Sequence, residues 1–407
     1  MKKLVLIVLG LSFGFLSEAA EVWNQKANFG GLARHRSTAF SIGNKGYMGL
    51  GHYNSGVGGN IHLEDFWEYD PGSDSWTQKA NFGGGLRYHA VGESYGNKAY
   101  VGTGRSPGNV LMTDWWEFDP IANTWTLVSP FPGTARRGAV IFRIDEFLFV
   151  GTGQTTSGYS NDFYAYDILN DQWLGGVANF PGSQRTSAAG FAIGDKGYVG
   201  TGGIGCGTTD FYEYKKSTNS WTQRSNVGTV IRQEAIGFAV NGKGYIVAGD
   251  NCSSGDNYQD VWEFDPETDS WIQLEDFMGA ARRYPDAFVI GKKAYVGLGT
   301  SGVNYADLWE FDQTLSVIQH DNELISTNVY PNPIEDKANI TLSNLPTNSN
   351  YNEYTATIYS LQGKVVFEQM FESQEILFER EQLTTGQYIC AISYNGSLVR
   401  SSQIILK

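Results

Sequence analysis

The sequence has few cysteines, few basic residues and no long apolar run, and each shortage argues against a class of protein. Three cysteines in 407 residues cannot form the framework of a disulfide-rich scaffold. Lysine and arginine number 29 against 43 acidic residues, and the resulting net charge of −14 disfavours nucleic acid as a partner. The apolar run from Leu4 to Leu16 is shorter than the ~20 residues of a membrane-spanning helix.

Glycine and aromatic residues are abundant instead. The chain contains 50 glycines, 23 phenylalanines, 23 tyrosines and 11 tryptophans, but only 11 prolines. Glycine shows no three-residue period, which excludes a collagen-like chain. Many aromatic residues among many glycines are typical of short strands joined by tight turns. The composition therefore predicts an acidic, all-β protein.

The N-terminus has the three parts of a secretory signal peptide. Lys2 and Lys3 precede the apolar run, and the small residues Ala19 and Ala20 follow it. A basic segment, an apolar segment and a small-residue cleavage point in this order are typical of such signals. We predict a signal peptide over residues 1–20 and no transmembrane segment after its cleavage.

The last part of the chain differs in composition from the rest. Glycine and tryptophan become sparse after Asp312. Short alternating stretches separated by turns, such as Asn339–Leu342 and Tyr354–Tyr359, predict a small β-sandwich. We place this sandwich at residues 328–407, after a linker at residues 314–327.

Four landmarks in this C-terminal region point to its role. They are Val329-Tyr-Pro-Asn-Pro333, Tyr359-Ser-Leu-Gln-Gly363, Leu383-x-x-Gly-x-Tyr388 and the final Ile404-Ile-x-Lys407. In this order they resemble the C-terminal sorting domain of the type IX secretion system. The resemblance implies a Bacteroidetes-type protein that uses the outer-membrane type IX machinery as a partner. It also implies a mature protein that is secreted or held at the cell surface.

Residues 21–313 contain six copies of one pattern, which we call repeats 1 to 6. Each repeat opens with an arginine, continues to a strand that ends in glycines, and then reaches an aspartate before an aromatic strand. Tryptophan follows in five of the repeats at spacings of 48 to 50 residues. The arginines are Arg34, Arg87, Arg136, Arg185, Arg232 and Arg282. The aspartates are Asp65, Asp114, Asp162, Asp210, Asp260 and Asp307.

Each repeat predicts four strands, which we call A to D. Strand A follows the arginine, strand B ends in the glycines, strand C follows the aspartate and strand D carries the tryptophan. Such a sheet cannot bury both faces alone, so the repeats must pack around an axis. Repeat 6 lacks the tryptophan of strand D, whereas Trp23 stands alone near the N-terminus. We therefore predict a six-bladed β-propeller in which the N-terminal strand completes the last blade.

The pattern resembles the kelch family of propellers. The glycines after strand B and the aromatic residue seven positions before tryptophan are that family's marks, although only Gly202-Gly203 has the usual adjacent pair. The family includes adaptor proteins, a copper-radical galactose oxidase and a periplasmic sialic acid epimerase. The resemblance thus implies a fold and leaves the activity open.

The D–A and B–C loops meet on one face of the predicted propeller, which is where we expect a ligand. The repeated arginines have two interpretations: ion pairs with the repeated aspartates, or an anion site at the mouth of the channel. Sixfold repetition favours the ion pairs. A second arginine in three repeats, at Arg36, Arg137 and Arg283, breaks the symmetry and suits a carboxylate ligand.

Other candidate residues lie in the same loops. The loop aromatics Tyr53, Tyr159 and Tyr258 are candidates for stacking on a sugar. Cys206 and Cys252 lie in the B–C loops of repeats 4 and 5 and are a candidate disulfide in an exported protein. We expect no cofactor. The four propeller histidines are expected to be polar loop residues rather than metal ligands, and they are His35, His52, His62 and His89.

These observations lead to two hypotheses about function. The first is a non-catalytic binding protein whose propeller face contacts a glycan or another protein. The alternative is an enzyme of the sialic acid epimerase type, which requires an acid–base pair beside an arginine that holds the sugar carboxylate. For that enzyme the candidates are Glu234 and Arg232, two residues apart at the start of strand A in repeat 5.

Overall fold

The structure is a computed structural model that divides into two compact units, Trp23–Asp312 and a C-terminal unit that extends to Lys407. It describes residues 23–54, 59–252, 254–312, 326–343, 345, 350–360, 364–380, 383–394 and 397–407. The predicted signal peptide lies outside the described residues. None of the helices in this part of the chain is long and apolar enough to cross a membrane.

The first unit contains six four-stranded antiparallel sheets, one for each repeat. Strand A comprises Thr38–Ile42, Val91–Tyr95, Val140–Ile144, Ala189–Ile193, Ile236–Val240 and Asp286–Ile290. Strand B comprises Lys45–Gly49, Lys98–Gly102, Phe147–Gly151, Lys196–Gly200, Lys243–Val247 and Lys293–Gly297. Strand C comprises Phe66–Asp70, Trp115–Asp119, Phe163–Asp167, Phe211–Lys215, Val261–Asp265 and Leu308–Phe311.

Strand D completes each sheet. In repeats 1 to 5 it comprises Ser75–Gln78, Thr124–Val128, Gln172–Leu174, Ser220–Arg224 and Ser270–Gln273. In repeat 6 the fourth strand is Trp23–Lys26, whose Trp23 pairs with Phe311 of strand C. The isolated Trp23 had predicted this pairing. It gives the last strand C an outer neighbour and so covers an edge that would otherwise be free.

The six sheets pack in a cycle. Strand A of every repeat contacts strand A of the next, and strand A of repeat 6 contacts strand A of repeat 1. The A strands therefore surround a central channel, which contains a cavity of about 210 Å³ lined mainly by alanine and glycine. This arrangement is propeller-like.

Small residues on strand B allow neighbouring sheets to approach closely. The Phe142 ring of repeat 3 lies against Gly197 of repeat 4, where an added Cβ would come within 2.1 Å of the ring. Phe191 of repeat 4 lies in the same way against Gly244 of repeat 5. Close packing of this kind makes the interior sensitive to single added atoms.

The tryptophan of strand D ties each sheet to the preceding one. Its indole N–H donates a hydrogen bond to a backbone carbonyl beyond strand D of the previous repeat, at 2.8–3.2 Å. The donors are Trp76, Trp125, Trp173, Trp221 and Trp271, and the acceptors are Ala27, Ala80, Ser129, Ala178 and Ser225. Each tryptophan is therefore part of the contact between two repeats.

Replacing Trp125 by alanine is expected to destabilise the protein by ~3–5 kcal/mol, because it removes a packed ring and its hydrogen bond. The Trp125 ring lies 4.7 Å from Phe118 of its own repeat and about 5 Å from Phe66 and Phe82 of the region before it. Urea unfolding measures the loss. Leu127→Ala on the same strand is the control, since Leu127 is 58% exposed. Equal stability of the two variants would contradict the packing role.

The C-terminal unit consists of two antiparallel sheets and a short helical turn at Tyr351–Glu353. One sheet contains Ser326–Tyr330, Lys337–Ser343 and Glu375–Glu379. The other contains Val365–Met370, Tyr354–Ser360, Gly386–Tyr394 and Ser397–Leu406 in this spatial order. Buried residues of both sheets form one core, which is the arrangement of a small sandwich.

Candidate functional site

The arginine that opens each repeat is buried in an ion pair. In repeat 3 the Arg136 side chain is fully buried, and its Nη2 donates to Oδ2 of Asp162 at 2.9 Å. Its Nη1 donates to the second carboxylate oxygen and also to the Thr152 carbonyl, at 2.8 Å for the carbonyl. The other pairs are Arg34–Asp65, Arg87–Asp114, Arg185–Asp210, Arg232–Asp260 and Arg282–Asp307. These arginines hold the D–A loop of each repeat against the start of its own strand C.

This finding corrects the expectation that Arg232 holds the sugar carboxylate beside Glu234. Arg232 is 1% exposed, and its guanidinium donates to Asp260 and to the Ala248 carbonyl. The ring of Tyr258, a candidate for stacking on a sugar, lies 5.0 Å from the guanidinium carbon of Arg232. Arg232 and Tyr258 therefore contact each other rather than Glu234.

The residue two places after each of these arginines has a left-handed backbone. Its φ lies between 54° and 60° in all six repeats. From Arg36 onward, each successive residue of this set donates its N–H to the carbonyl of the equivalent residue in the preceding repeat, at 2.8–3.1 Å. The set, which we call the axial ring, is Arg36, His89, Gly138, Ser187, Glu234 and Tyr284. Only one member is glycine, so the surrounding structure imposes this φ at the cost that non-glycine residues pay there.

The residue one place after each arginine pairs with the first residue beyond the glycines of strand B. The pairs are His35–His52, Tyr88–Arg105, Arg137–Gln154, Thr186–Gly203, Gln233–Asp250 and Arg283–Thr300. We call these pairs together with the axial ring the mouth. Its side chains differ from repeat to repeat, whereas the buried arginines do not. The mouth is therefore where the repeats acquire different chemistry.

Glu234 lies in a polar cluster within the mouth that also contains Asp250, Tyr284 and two arginines. The Tyr284 hydroxyl donates to Glu234 Oε1, and Arg36 Nη2 donates to the same hydroxyl at 2.8 Å. Arg283 lies 3.8 Å from Glu234 and 3.3 Å from Asp250. The Glu234 side chain is only 11% exposed, and that of Asp250 is 3% exposed. Burial, followed by the nearby Asp250 carboxylate, raises the pKa of Glu234 to about 7.

The raised pKa makes stability depend on pH. An unfolded chain releases the Glu234 proton near its ordinary pKa of 4.5, whereas the folded protein holds it until about pH 7. The contribution of this proton to the free energy of unfolding is complete below pH 4.5. It is lost as the pH rises to about 7, and the loss amounts to up to about 3 kcal/mol. We expect Glu234→Gln to lose less stability than the wild type between pH 4 and pH 8 in urea unfolding. Parallel pH profiles of the two proteins would contradict the raised pKa.

Histidines occupy the part of the mouth that repeats 1 and 2 contribute. His35 Nε2 lies 2.7 Å from His52 Nε2, and His35 Nδ1 lies 2.8 Å from Asn304 Oδ1. His52 also stacks on Tyr88, with ring centroids 4.9 Å apart. Burial lowers the pKa of His35 to about 4 and also lowers the pKa of His52 and His89. These rings are therefore neutral at pH 7. They lie in loops, as expected, but His35 and His52 are buried within the mouth.

The mouth carries more positive than negative charge although the protein is acidic. Four arginines, Arg36, Arg105, Arg137 and Arg283, face two carboxyl groups in this region. Burial and then the Arg105 charge lower the pKa of Arg137. The buried Nε atoms of Arg36 and Arg105 have no hydrogen-bond partner among the described residues. Unpaired buried donors and excess positive charge are the features of a site for an anion.

The remaining candidates lie near the mouth. Cys206 and Cys252 form a disulfide that joins the B–C loops of repeats 4 and 5, and Cys252 is two residues from Asp250. Tyr53 and Tyr159 lie in short hairpins of the B–C loops of repeats 1 and 3. Within the described residues no three histidine, cysteine or acidic side chains are grouped as metal ligands.

Sequence reasoning missed several residues of the mouth. The sequence pattern did not single out Arg105 or Tyr284, and it indicated only a polar loop residue at His89. An alignment of the six repeats on their arginines and glycines contains the necessary signal. It places these residues at positions where the backbone is repeated but the side chain is not.

Comparisons with known proteins bear on both units. Residues 328–407 match the family described as the secretion system C-terminal sorting domain, which confirms the predicted type IX sorting domain. The chain is therefore exported, either to the cell surface or into the medium. A search of curated proteins finds no match.

The class defined by the fold is thus an exported all-β protein with a propeller-like unit. Among solved structures, one titled "Structure of YjhT" is similar, with a TM-score of 0.59 and 17% sequence identity. The alignment covers 71% of this chain and 96% of that chain. At this identity the similarity concerns the fold alone.

Proposed function

We propose that the protein is an exported enzyme of the sialic acid epimerase type, acting on an acidic sugar at the mouth of a six-bladed kelch propeller. The six sheets in a cycle and the pairing of Trp23 with Phe311 support the propeller. The observation that carries the function is Glu234, a buried carboxyl group with a pKa of about 7 beside a group of arginines. The alternative hypothesis is therefore preferred to a non-catalytic binding protein.

The charges of the mouth suit the carboxylate of an acidic sugar. Arginine side chains bind carboxylates through two parallel N–H groups. Arg137 is half-buried, and its Nε and Nη2 both donate to Gln154 Oε1, at 2.9 and 2.6 Å. A carboxylate in place of the Gln154 amide oxygen provides a stronger acceptor for the same two donors. Arg105, which pairs with Tyr88 in the repeat before that of Arg137, adds a second cation to the mouth.

Inversion at the anomeric carbon requires acid–base catalysis. A sialic acid is a cyclic hemiketal, and proton transfer to its ring oxygen and from its anomeric hydroxyl opens the ring to a ketone. Reclosure from the other face of the ketone gives the other anomer. Glu234 is present in both protonation states near pH 7, which is the condition for efficient general acid–base catalysis.

The direct test uses the mature full-length protein and N-acetylneuraminate prepared away from its anomeric equilibrium. Proton NMR follows the approach to equilibrium with and without the protein, and glucose serves as a neutral control sugar. We expect acceleration for N-acetylneuraminate and none for glucose. Binding without acceleration would indicate the glycan-binding function instead. The absence of both binding and acceleration, for this sugar and for uronic acids, would overturn the proposal.

A further inference from the structure

His89 is a member of the axial ring with no hydrogen-bond partner for its imidazole. Both ring nitrogens are buried, and neither contacts a donor or acceptor among the described residues. Its ring centroid lies 5.1 Å from that of Tyr284. Buried polar atoms are nearly always hydrogen-bonded in folded proteins, so an imidazole with two unpaired nitrogens indicates a missing ligand or water.

The position of His89 in the ring places it opposite Glu234. The axial ring follows the order of the repeats, and His89 of repeat 2 is three places from Glu234 of repeat 5 in a cycle of six. Tyr284 contacts both residues, since it donates to Glu234 and its ring lies beside that of His89. A small ligand above the axial ring therefore has the carboxyl group on one side and the imidazole on the other.

We propose that His89 is the second proton-transfer group of this site, facing Glu234 across the ring of the bound sugar. This inference rests on the proposed function and assigns a partner to Glu234. Acid–base opening of a hemiketal needs two groups, because one oxygen gains a proton while another loses one. Among the other members of the axial ring, Gly138 and Ser187 offer no side chain that titrates near pH 7, and burial raises the pKa of Tyr284 further above its ordinary value.

The proton balance of the reaction is complete with these two groups. Protonated Glu234 gives its proton to the ring oxygen, which takes the electron pair of the breaking bond to the anomeric carbon. Neutral His89 accepts the proton of the anomeric hydroxyl, whose oxygen becomes the ketone. After the ketone turns over, the sugar hydroxyl attacks its other face and returns its proton to Glu234. The imidazolium of His89 returns its proton to the former ketone oxygen.

The arginines of the mouth connect binding of the carboxylate to the basicity of His89. Burial, and then the charges of Arg36 and Arg137, hold the pKa of His89 well below its usual range. A sugar carboxylate paired with these arginines compensates their charge and favours the imidazolium. His89 is thus a poor base in the free protein and becomes a better one when an acidic sugar is bound.

The test compares His89→Asn with His62→Asn. Asparagine tolerates the left-handed backbone at this position but cannot transfer protons near pH 7. We expect His89→Asn to slow anomer exchange by ~10²–10⁴-fold and to change the Kd for N-acetylneuraminate by less than about threefold. His62 is not a residue of the mouth, although its ring stacks on Tyr88 at the edge of the mouth, and His62→Asn is expected to retain the wild-type rate. Activity of His89→Asn within threefold of the wild type overturns the assignment of His89.

A second readout does not depend on turnover. In protein labelled with ¹⁵N-histidine, the ring nitrogens of His89 are expected to shift toward the imidazolium when N-acetylneuraminate is added. If the ring nitrogens of His89 do not shift when the protein is saturated with the sugar, the assignment is overturned. This readout uses the wild type, so it remains decisive if His89→Asn fails to fold. A wild type that does not accelerate anomer exchange overturns the proposed function itself. An active wild type with an unaffected His89→Asn variant overturns only the role of His89.

Discussion

Glu234→Gln is expected to reduce the rate of anomer exchange by ~10²–10⁴-fold, the usual contribution of a general acid or base. Glutamine has nearly the same shape as the protonated glutamic acid and still accepts the hydrogen bond from Tyr284. It can neither give nor take a proton at the sugar ring. The fall should appear in kcat, while the Kd for the sugar remains within about threefold of the wild-type value. NMR exchange measurements and calorimetry supply the two numbers.

The matched control for this variant is Glu93→Gln. Glu93 lies on strand A of repeat 2, and burial also raises the pKa of its carboxyl group. It lines the central channel between the A strands and is not part of the mouth. We therefore expect Glu93→Gln to exchange anomers at the wild-type rate. Equal losses in both variants would mean that Glu234 acts through the fold and not on the sugar.

The sequence was sufficient to predict the strands and their grouping because six copies of one pattern average out local ambiguity. The repeated arginines had two interpretations, an ion pair such as Arg136–Asp162 or an anion site, and sixfold repetition favoured the ion pair. Trp23 located the outer strand of repeat 6 because the tryptophan of strand D is missing from that repeat alone. Such inferences succeed when a residue has the same role in every repeat.

The mouth could not be predicted in the same way, because its chemistry depends on what differs between repeats. Glu234 and Tyr284 are 50 residues apart in the chain and meet only when consecutive A strands pack side by side. The nearby Arg232 was the obvious partner by spacing, but the backbone turns between the two residues. Glu234 has a φ of 60°, and its carboxyl group contacts Tyr284, whereas Arg232 contacts Asp260. Nothing in the sequence of a single repeat indicates this turn.

Arg136→Ala is expected to destabilise the protein by ~3–5 kcal/mol, the cost of leaving one member of a buried ion pair without its partner. Arg136 is fully buried, and the substitution removes all the donors that the side chain gives to Asp162, Thr152 and the Thr134 carbonyl. Urea unfolding at pH 7 without reductant measures the effect while the disulfide stays intact. Binding of N-acetylneuraminate by the fraction that remains folded is expected to be unchanged.

The adjacent Arg137→Ala is expected to give the opposite result. Arg137 is half-buried, and among the described residues its side chain donates hydrogen bonds to Gln154 alone, so the loss of stability should stay below about 1 kcal/mol. Loss of a cation that binds the sugar carboxylate should weaken binding by at least tenfold, as expected for a charge-assisted hydrogen bond. Two neighbouring arginines would then separate the two roles of this face, one holding the repeat together and the other binding the ligand. If Arg136→Ala instead weakened binding without loss of stability, the buried arginines would belong to the ligand site after all.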